Sequence, residues 1–166
     1  MYKINKIFIF VFIICTLTLA YAYYSQYFNG ATPCPLCIAQ RVIIAIIGAL
    51  SLLFGLLGVS GIINRFCNLL VAAFAIFGIK IAAHHLYLMN LPPEQQPLSC
   101  GMPLEILYQR LPLSGFIHHI LQGDAECGKV NWLVFGMRGP TAMIILCLII
   151  IVILIYNIFG NKKTRA

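Results

Sequence analysis

Thr32-Pro33-Cys34-Pro35-Leu36-Cys37-Ile38-Ala39-Gln40-Arg41 stands where one long apolar run ends and the next begins. The two prolines interrupt regular structure, and a proline is well suited to the first turn of a helix. The stretch therefore reads as a turn that closes one helix and opens another. It carries a C-x-x-C pair and, four residues beyond the second cysteine, an arginine. Cysteines at this spacing can close a small disulfide, hold a metal or exchange electrons. Their position at the edge of an apolar run decides among these, so the runs come first.

Hydrophobic residues make up 61% of the 166 residues and charged residues 9%. So few charges cannot cover a soluble domain of this size. About 20 apolar residues cross a bilayer, and four runs reach that length, at about 4–24, 38–59, 66–89 and 141–159. The expectation is an all-α membrane protein: a single four-transmembrane-helix bundle over 1–166, with loops at about 25–37 and 90–140. The net charge of +7 does not indicate nucleic acid, because the basic residues sit at the ends of apolar runs rather than among stacking aromatics.

The charges also orient the bundle. Lys3, Lys6, Arg65, Lys162, Lys163 and Arg165 fall on one face without acidic company. Glu94, Glu105, Asp124 and Glu126 all fall in the long loop. The positive-inside rule makes both termini cytoplasmic and turns the long loop and the Cys34/Cys37 segment outward. Tyr21, Tyr23, Tyr24, Tyr27 and Phe28 suit an outer interfacial belt. Lys3, Lys6 and Ala20-Tyr21-Ala22 also resemble a cleavable signal peptide. The apolar run continues to Phe28, which favours an uncleaved anchor.

Topology sorts the seven cysteines. Cys15, Cys67 and Cys147 fall within or at the end of spans and read as small buried hydrophobes. Cys34, Cys37, Cys100 and Cys127 all fall on the outer side, where an even number favours disulfides. Cys34 with Cys37, and Cys100 with Cys127, are the natural pairs. Two inert staples are the plainer reading, but a C-x-x-C loop is too short to gain much closure entropy. Such pairs are more often redox-active. Haem attachment would need histidine at position 38, which is Ile38. The wide gap between Cys37 and Cys100 matches no compact zinc ribbon, so no metal is expected.

Cys37 falls at or just inside the N-terminus of the second span, where unpaired amides and the helix dipole stabilise a thiolate. Arg41 is one turn further along the same face. A guanidinium at this depth needs a partner such as a thiolate, a ligand carbonyl or a lipid phosphate, or it snorkels to headgroups. Lys80 lies deep in the third span and either snorkels or pairs. His85 is a candidate proton carrier near the outer end, with His84 beside it; both also read as satisfied interfacial residues.

Cys34-Pro35-Leu36-Cys37-Ile38-Ala39-Gln40-Arg41 resembles the signature of the DsbB family of disulfide bond formation proteins. The resemblance covers nearly the whole chain: four spans, C-x-x-C in the first outer loop and two spaced cysteines in the second. His84-His85-Leu86-Tyr87-Leu88-Met89-Asn90-Leu91-Pro92 and Cys127 followed by Trp132 carry it further. Pro140 is followed by Thr141-Ala142, where members of the family often have an aromatic residue.

The resemblance implies a membrane thiol oxidase of the bacterial inner membrane, reoxidising a periplasmic DsbA-like thiol oxidase and passing electrons to quinone, either ubiquinone or menaquinone. It implies that the reduced partner attacks Cys100, that Cys127 passes electrons to Cys34, and that Cys37 engages quinone with Arg41 beside it. His85 is added as a quinone neighbour. Alternatives are a specialised paralogue with a dedicated partner, a quinone-linked enzyme of the vitamin K epoxide reductase type, and a non-enzymatic membrane protein binding metal through its outer cysteines.

In the long loop, Leu104, Leu107 and Leu111, and then Phe116, Ile117, Ile120 and Leu121, recur at helical spacing on either side of Pro112. One or two short helices on the membrane surface are expected. His118 and His119 read as interfacial.

Overall fold

The computed structural model describes residues 5–28, 33–92, 112–123, 127, 133–134 and 136–163. Four long helices carry the architecture: α1 Lys6–Phe28, α2 Pro35–Leu56, α3 Gly61–Asn90 and α5 Gly139–Lys163. A shorter helix, α4 Leu113–Gln122, precedes a two-residue antiparallel ribbon, β1 Leu133–Val134 with β2 Met137–Arg138. Among the described residues, four helices are long and apolar enough to cross a membrane. The chain is a multi-pass membrane protein of the expected class. Large apolar side chains such as Phe10, Leu17, Phe66, Leu69, Ile76 and Val152 stay exposed around the bundle, as lipid-facing residues do.

The bundle is assembled by neighbour contacts. α1 packs on α2, α2 on α3, and α3 most extensively on α5. α1 and α5 touch only lightly. Small residues permit the closest approach, a device membrane helices favour because lipid offers no hydrophobic drive between them. A Cβ at Gly55 would come within 2.6 Å of Ile9 Cδ1, and one at Gly48 within 3.2 Å of Cys15 Cβ. The turn between α2 and α3 follows at once, with Gly58 at φ 58°, a left-handed geometry that costs a glycine little.

The spans differ from the expected bounds in instructive ways. α2 starts at Pro35 rather than 38, because Cys34 caps it and Pro35 fits its first turn. α3 has 30 residues, about 45 Å at 1.5 Å per residue, against a hydrocarbon layer of about 30 Å. It therefore projects or tilts, and His84 and His85 lie near its C-terminal end. Lys80 is exposed on α3, so the snorkelling alternative fits it and pairing inside the bundle does not. α4 covers the second apolar repeat of the loop; the first, 104–111, lies outside the described residues. The β ribbon has no counterpart in the expected fold. It is tied to α3 by Arg138, whose Nη1 donates to Asn90 Oδ1 at 3.0 Å.

The end of the bundle opposite Cys34 is stitched by asparagines. Asn5 Oδ1 accepts from the Ile7 amide at 3.3 Å and so caps α1, while Asn5 Nδ2 donates to Asn64 Oδ1 at 3.1 Å. Asn157 Nδ2 on α5 donates to Asn68 Oδ1 on α3 at 3.3 Å. Asn64, Asn68 and Asn157 are buried, and buried amides in a membrane bundle act as interhelical ties. Asn157→Ala should lower the unfolding free energy in mixed-micelle titration by about 1 kcal/mol. A double-mutant cycle with Asn68→Ala should show coupling; a coupling of zero removes this tie.

Candidate functional site

The C-x-x-C pair is built on the first turn of α2. Cys34 has extended backbone (φ −75°, ψ 166°) and is the N-cap residue; its sulfur accepts from the Cys37 amide at 3.3 Å. A side chain that takes one of the free amides at a helix start is the ordinary solution to that end's unmet donors. The expectation placed those amides at Cys37. The structure directs this one to the sulfur of Cys34, because the cap lies outside the first turn and folds back over it.

Cys34 and Cys37 are buried, with their sulfurs 3.0 Å apart. Cys127 is also buried, and its thiol is a hydrogen-bond partner of Cys34. Three of the four expected cysteines therefore meet. Cys100 lies outside the described residues. No disulfide joins two of the described cysteines. The Cys127 sulfur first, then the Cys37 sulfur and burial, push the Cys34 thiol well above the usual thiol range.

His85 is fully buried behind this cluster. Its Nε2 is 3.3 Å from the Cys127 carbonyl and 3.6 Å from Cys34 Sγ. A carbonyl only accepts, so Nε2 carries the proton, and Nδ1 is left to accept from Gln40 Nε2 at 3.2 Å. One ring thus joins α2, α3 and the segment at Cys127. His85 does not line the cavity described below; Gln40 stands between them. His84, half-buried, donates from Nε2 to the Gln122 carbonyl at 3.1 Å and holds the end of α4 to α3. His118 is exposed on α4.

Gly123 completes this docking. It has φ 74°, and a Cβ there would lie 2.7 Å from both Leu36 Cδ1 and Leu88 Cδ1. The chain leaving α4 thus presses against α2 and α3 at a place where only glycine fits, four residues before Cys127.

On the other side of α2, Arg41 is held by α1. Its Nη1 donates to Gln26 Oε1, its Nη2 to the Ala22 carbonyl at 3.2 Å, and its guanidinium lies 5.1 Å from the centre of the Tyr23 ring. The partner required by the depth of this charge is a polar edge of the neighbouring helix. Beside it lies a cavity of about 270 Å³ between α1, α2 and α5. Cys37, Gln40 and Arg41 give it a polar end; Ile44, Met143, Leu146 and Ile149 are among its apolar walls. Cys34 is not part of the lining. Ala142 is, so the small residue after Pro140 leaves room where an aromatic would intrude. Pro140 itself is fully buried.

Gln40 was read only as part of the signature, without a role, and Gln26 was not singled out from the sequence. Gln40 had a usable signal: a glutamine at i+3 from Cys37, beside Arg41 at i+4, is a polar stripe on an otherwise apolar helix. Gln26 had none, since α1 ends in a mixed polar and aromatic stretch.

Comparison with known proteins identifies the family. The family model described as disulfide bond formation protein DsbB matches residues 4–157. The chain is 32% identical to disulfide bond formation protein B of Acinetobacter baumannii over 84% of its length and 82% of the relative's. It is 34% identical to that of Methylococcus capsulatus over 77% of each chain. It is 37% identical to that of Xylella fastidiosa over 73% of its own length and 70% of the relative's. No solved structure matches. The chain belongs to the DsbB family, whose members are membrane thiol oxidases of disulfide bond formation.

Proposed function

We propose that the cluster passes electrons from a periplasmic DsbA-like dithiol to quinone in the inner membrane, with both termini cytoplasmic. The observation that supports this most directly is the placement of Cys37 between two sites. One of its neighbours is Cys34, which touches Cys127; the other is the cavity beside Arg41.

The steps balance as thiol–disulfide exchange. A partner thiolate attacks Cys100 of a Cys100–Cys127 disulfide and releases the Cys127 thiolate. Cys127 then attacks Cys34 of a Cys34–Cys37 disulfide, forming Cys34–Cys127 and releasing the Cys37 thiolate into the cavity. The partner's second thiol resolves its mixed disulfide with Cys100, and the released Cys100 thiolate takes Cys127 back from Cys34. Overall a dithiol becomes a disulfide, and two electrons and two protons leave the protein.

The cavity fits a quinone ring. Its volume approaches the roughly 300–1,000 Å³ of small-molecule sites, and apolar walls with few polar groups are typical of them. Bound there, quinone supplies the two-electron acceptor. Cys37 presents sulfur to it, and Arg41, fixed by Gln26 and Ala22, offers a permanent positive charge at the polar end. His85 serves from the rear: its Nε2–H holds the Cys127 carbonyl and points toward the Cys34 sulfur, so it steadies the exchanging pair.

Anaerobic mixing of the purified protein with a reduced DsbA-like partner and quinone, followed by quinone absorbance, tests the reading. Cys37→Ser should show no quinone reduction; normal turnover would refute the assignment. Leu146→Trp, on an apolar wall, overfills the cavity, a change that costs about 1–3 kcal/mol. It should raise the apparent KM for quinone about five- to a hundredfold while the thiol exchange with the partner proceeds; an unchanged KM moves the site elsewhere. The raised Cys34 thiol yields thiolate only at higher pH than an ordinary cysteine. In the reduced protein, alkylation at Cys34 should therefore need a higher pH than alkylation of an ordinary cysteine, and should quicken in Cys127→Ala, which removes the largest cause. Equal rates in the two proteins would contradict that placement.

A further inference from the structure

The donor atoms of Cys34, Cys37 and His85 lie within 4.8 Å of one another. This grouping was invisible to spacing, because His85 comes from a different helix and the sequence offers no second cysteine pair at ribbon distance. We propose that, when Cys34 and Cys37 are reduced, they and His85 form a site for one thiophilic divalent cation of the zinc class, and that disulfide closure abolishes it. The proposal is independent of the quinone reading.

The geometry is close to what such an ion requires. Zinc binds sulfur at about 2.3 Å and imidazole nitrogen at about 2.0–2.1 Å in a tetrahedron. Those lengths put sulfur and nitrogen about 3.6 Å apart and two sulfurs about 3.8 Å apart. Cys34 Sγ and His85 Nε2 are 3.6 Å apart. The two sulfurs, at 3.0 Å, would have to open by about 0.8 Å, a small side-chain rotation. The residues are buried, so the ion would be shielded from competing water.

The surroundings supply what the ligands need. A metal-bound histidine donates its other nitrogen to an acceptor that fixes the ring. In the metal-free arrangement Gln40 faces Nδ1 with its amide nitrogen. Turning the amide over presents its oxygen instead, and the imidazole proton moves from Nε2 to Nδ1. The Cys127 carbonyl then loses its donor, so the site has two exclusive states joined by one tautomer change. Binding displaces the protons of the coordinating thiols and transfers no electrons.

The consequence is a redox-gated block. An oxidised Cys34–Cys37 pair has no thiolate to offer, while the reduced pair is trapped before it can reoxidise. Cobalt(II) is a suitable probe, because thiolate coordination gives a near-ultraviolet charge-transfer band and tetrahedral geometry gives intense visible bands. The full-length protein, reduced and freed of reductant without oxygen, should take up one Co2+ per chain with both sets of bands, and Zn2+ should displace it. The oxidised protein should show neither. Cys37→Ser should abolish the bands, and Cys15→Ser should leave them intact. Gln40→Leu should weaken binding about 10- to 100-fold, and His85→Gln should remove the tetrahedral bands, with circular dichroism confirming the helical fold of each variant. Absence of the bands in reduced wild type, their presence in the oxidised protein, or their persistence in Cys37→Ser or His85→Gln overturns the proposal. The measurement contains neither quinone nor partner, so failure of the electron-transfer reading would leave it untouched.

Discussion

The imidazole of His85 is the constraint on which the Cys34 end of the bundle depends. A fully buried ring in an apolar bundle must satisfy two nitrogens from the chain itself, since an unpaired buried polar group is costly. Gln40 meets one and the Cys127 carbonyl the other. Those two bonds fix the rotation of α2 relative to α3 and lay the Cys127 segment over the start of α2. With α2 so rotated, Cys34 caps the helix beneath Cys127, Cys37 turns toward the cavity, and Arg41 reaches the polar edge of α1. The reactive sulfurs share one neighbourhood because a single ring needs partners on three parts of the chain.

The two ends of the bundle solve the same problem differently. At the far end, asparagine amides pair with one another and with backbone, producing ties with no chemistry of their own. At the near end, the buried polar atoms are thiols and an imidazole, which bond weakly and can change partners or protonation. Rigidity at one end and exchangeable contacts at the other suit a protein whose cysteines must form successive bonds within one scaffold. α4, held against α2 and α3 by His84 and Gly123, belongs to the exchangeable end.

Fold and site were legible to different degrees. The four long helices, the tight turn after α2 and the grouping of Cys34, Cys37 and Cys127 at one end of the bundle follow from apolar run length and charge placement, which act locally. The depth of Arg41 indicated that it needs a partner. That the partner is Gln26 on α1 depends on how two helices rotate against each other, which periodicity does not encode. His85 was readable as significant, but its place behind Cys34, away from the cavity, rests on a side-chain bond to Gln40. The capping role of Cys34 was hidden because cysteine is not among the usual helix caps, and only the fold of the first turn reveals it.

The light contact between α1 and α5 has a consequence for how any guest of the cavity is measured. A molecule that enters there comes sideways from the lipid, without crossing water. Its effective concentration is then its mole fraction in the bilayer or micelle, and its bulk molarity is irrelevant. Half-saturation should follow the ratio of guest to lipid or detergent, so diluting the membrane at constant total guest would empty the cavity although nothing in the aqueous phase had changed.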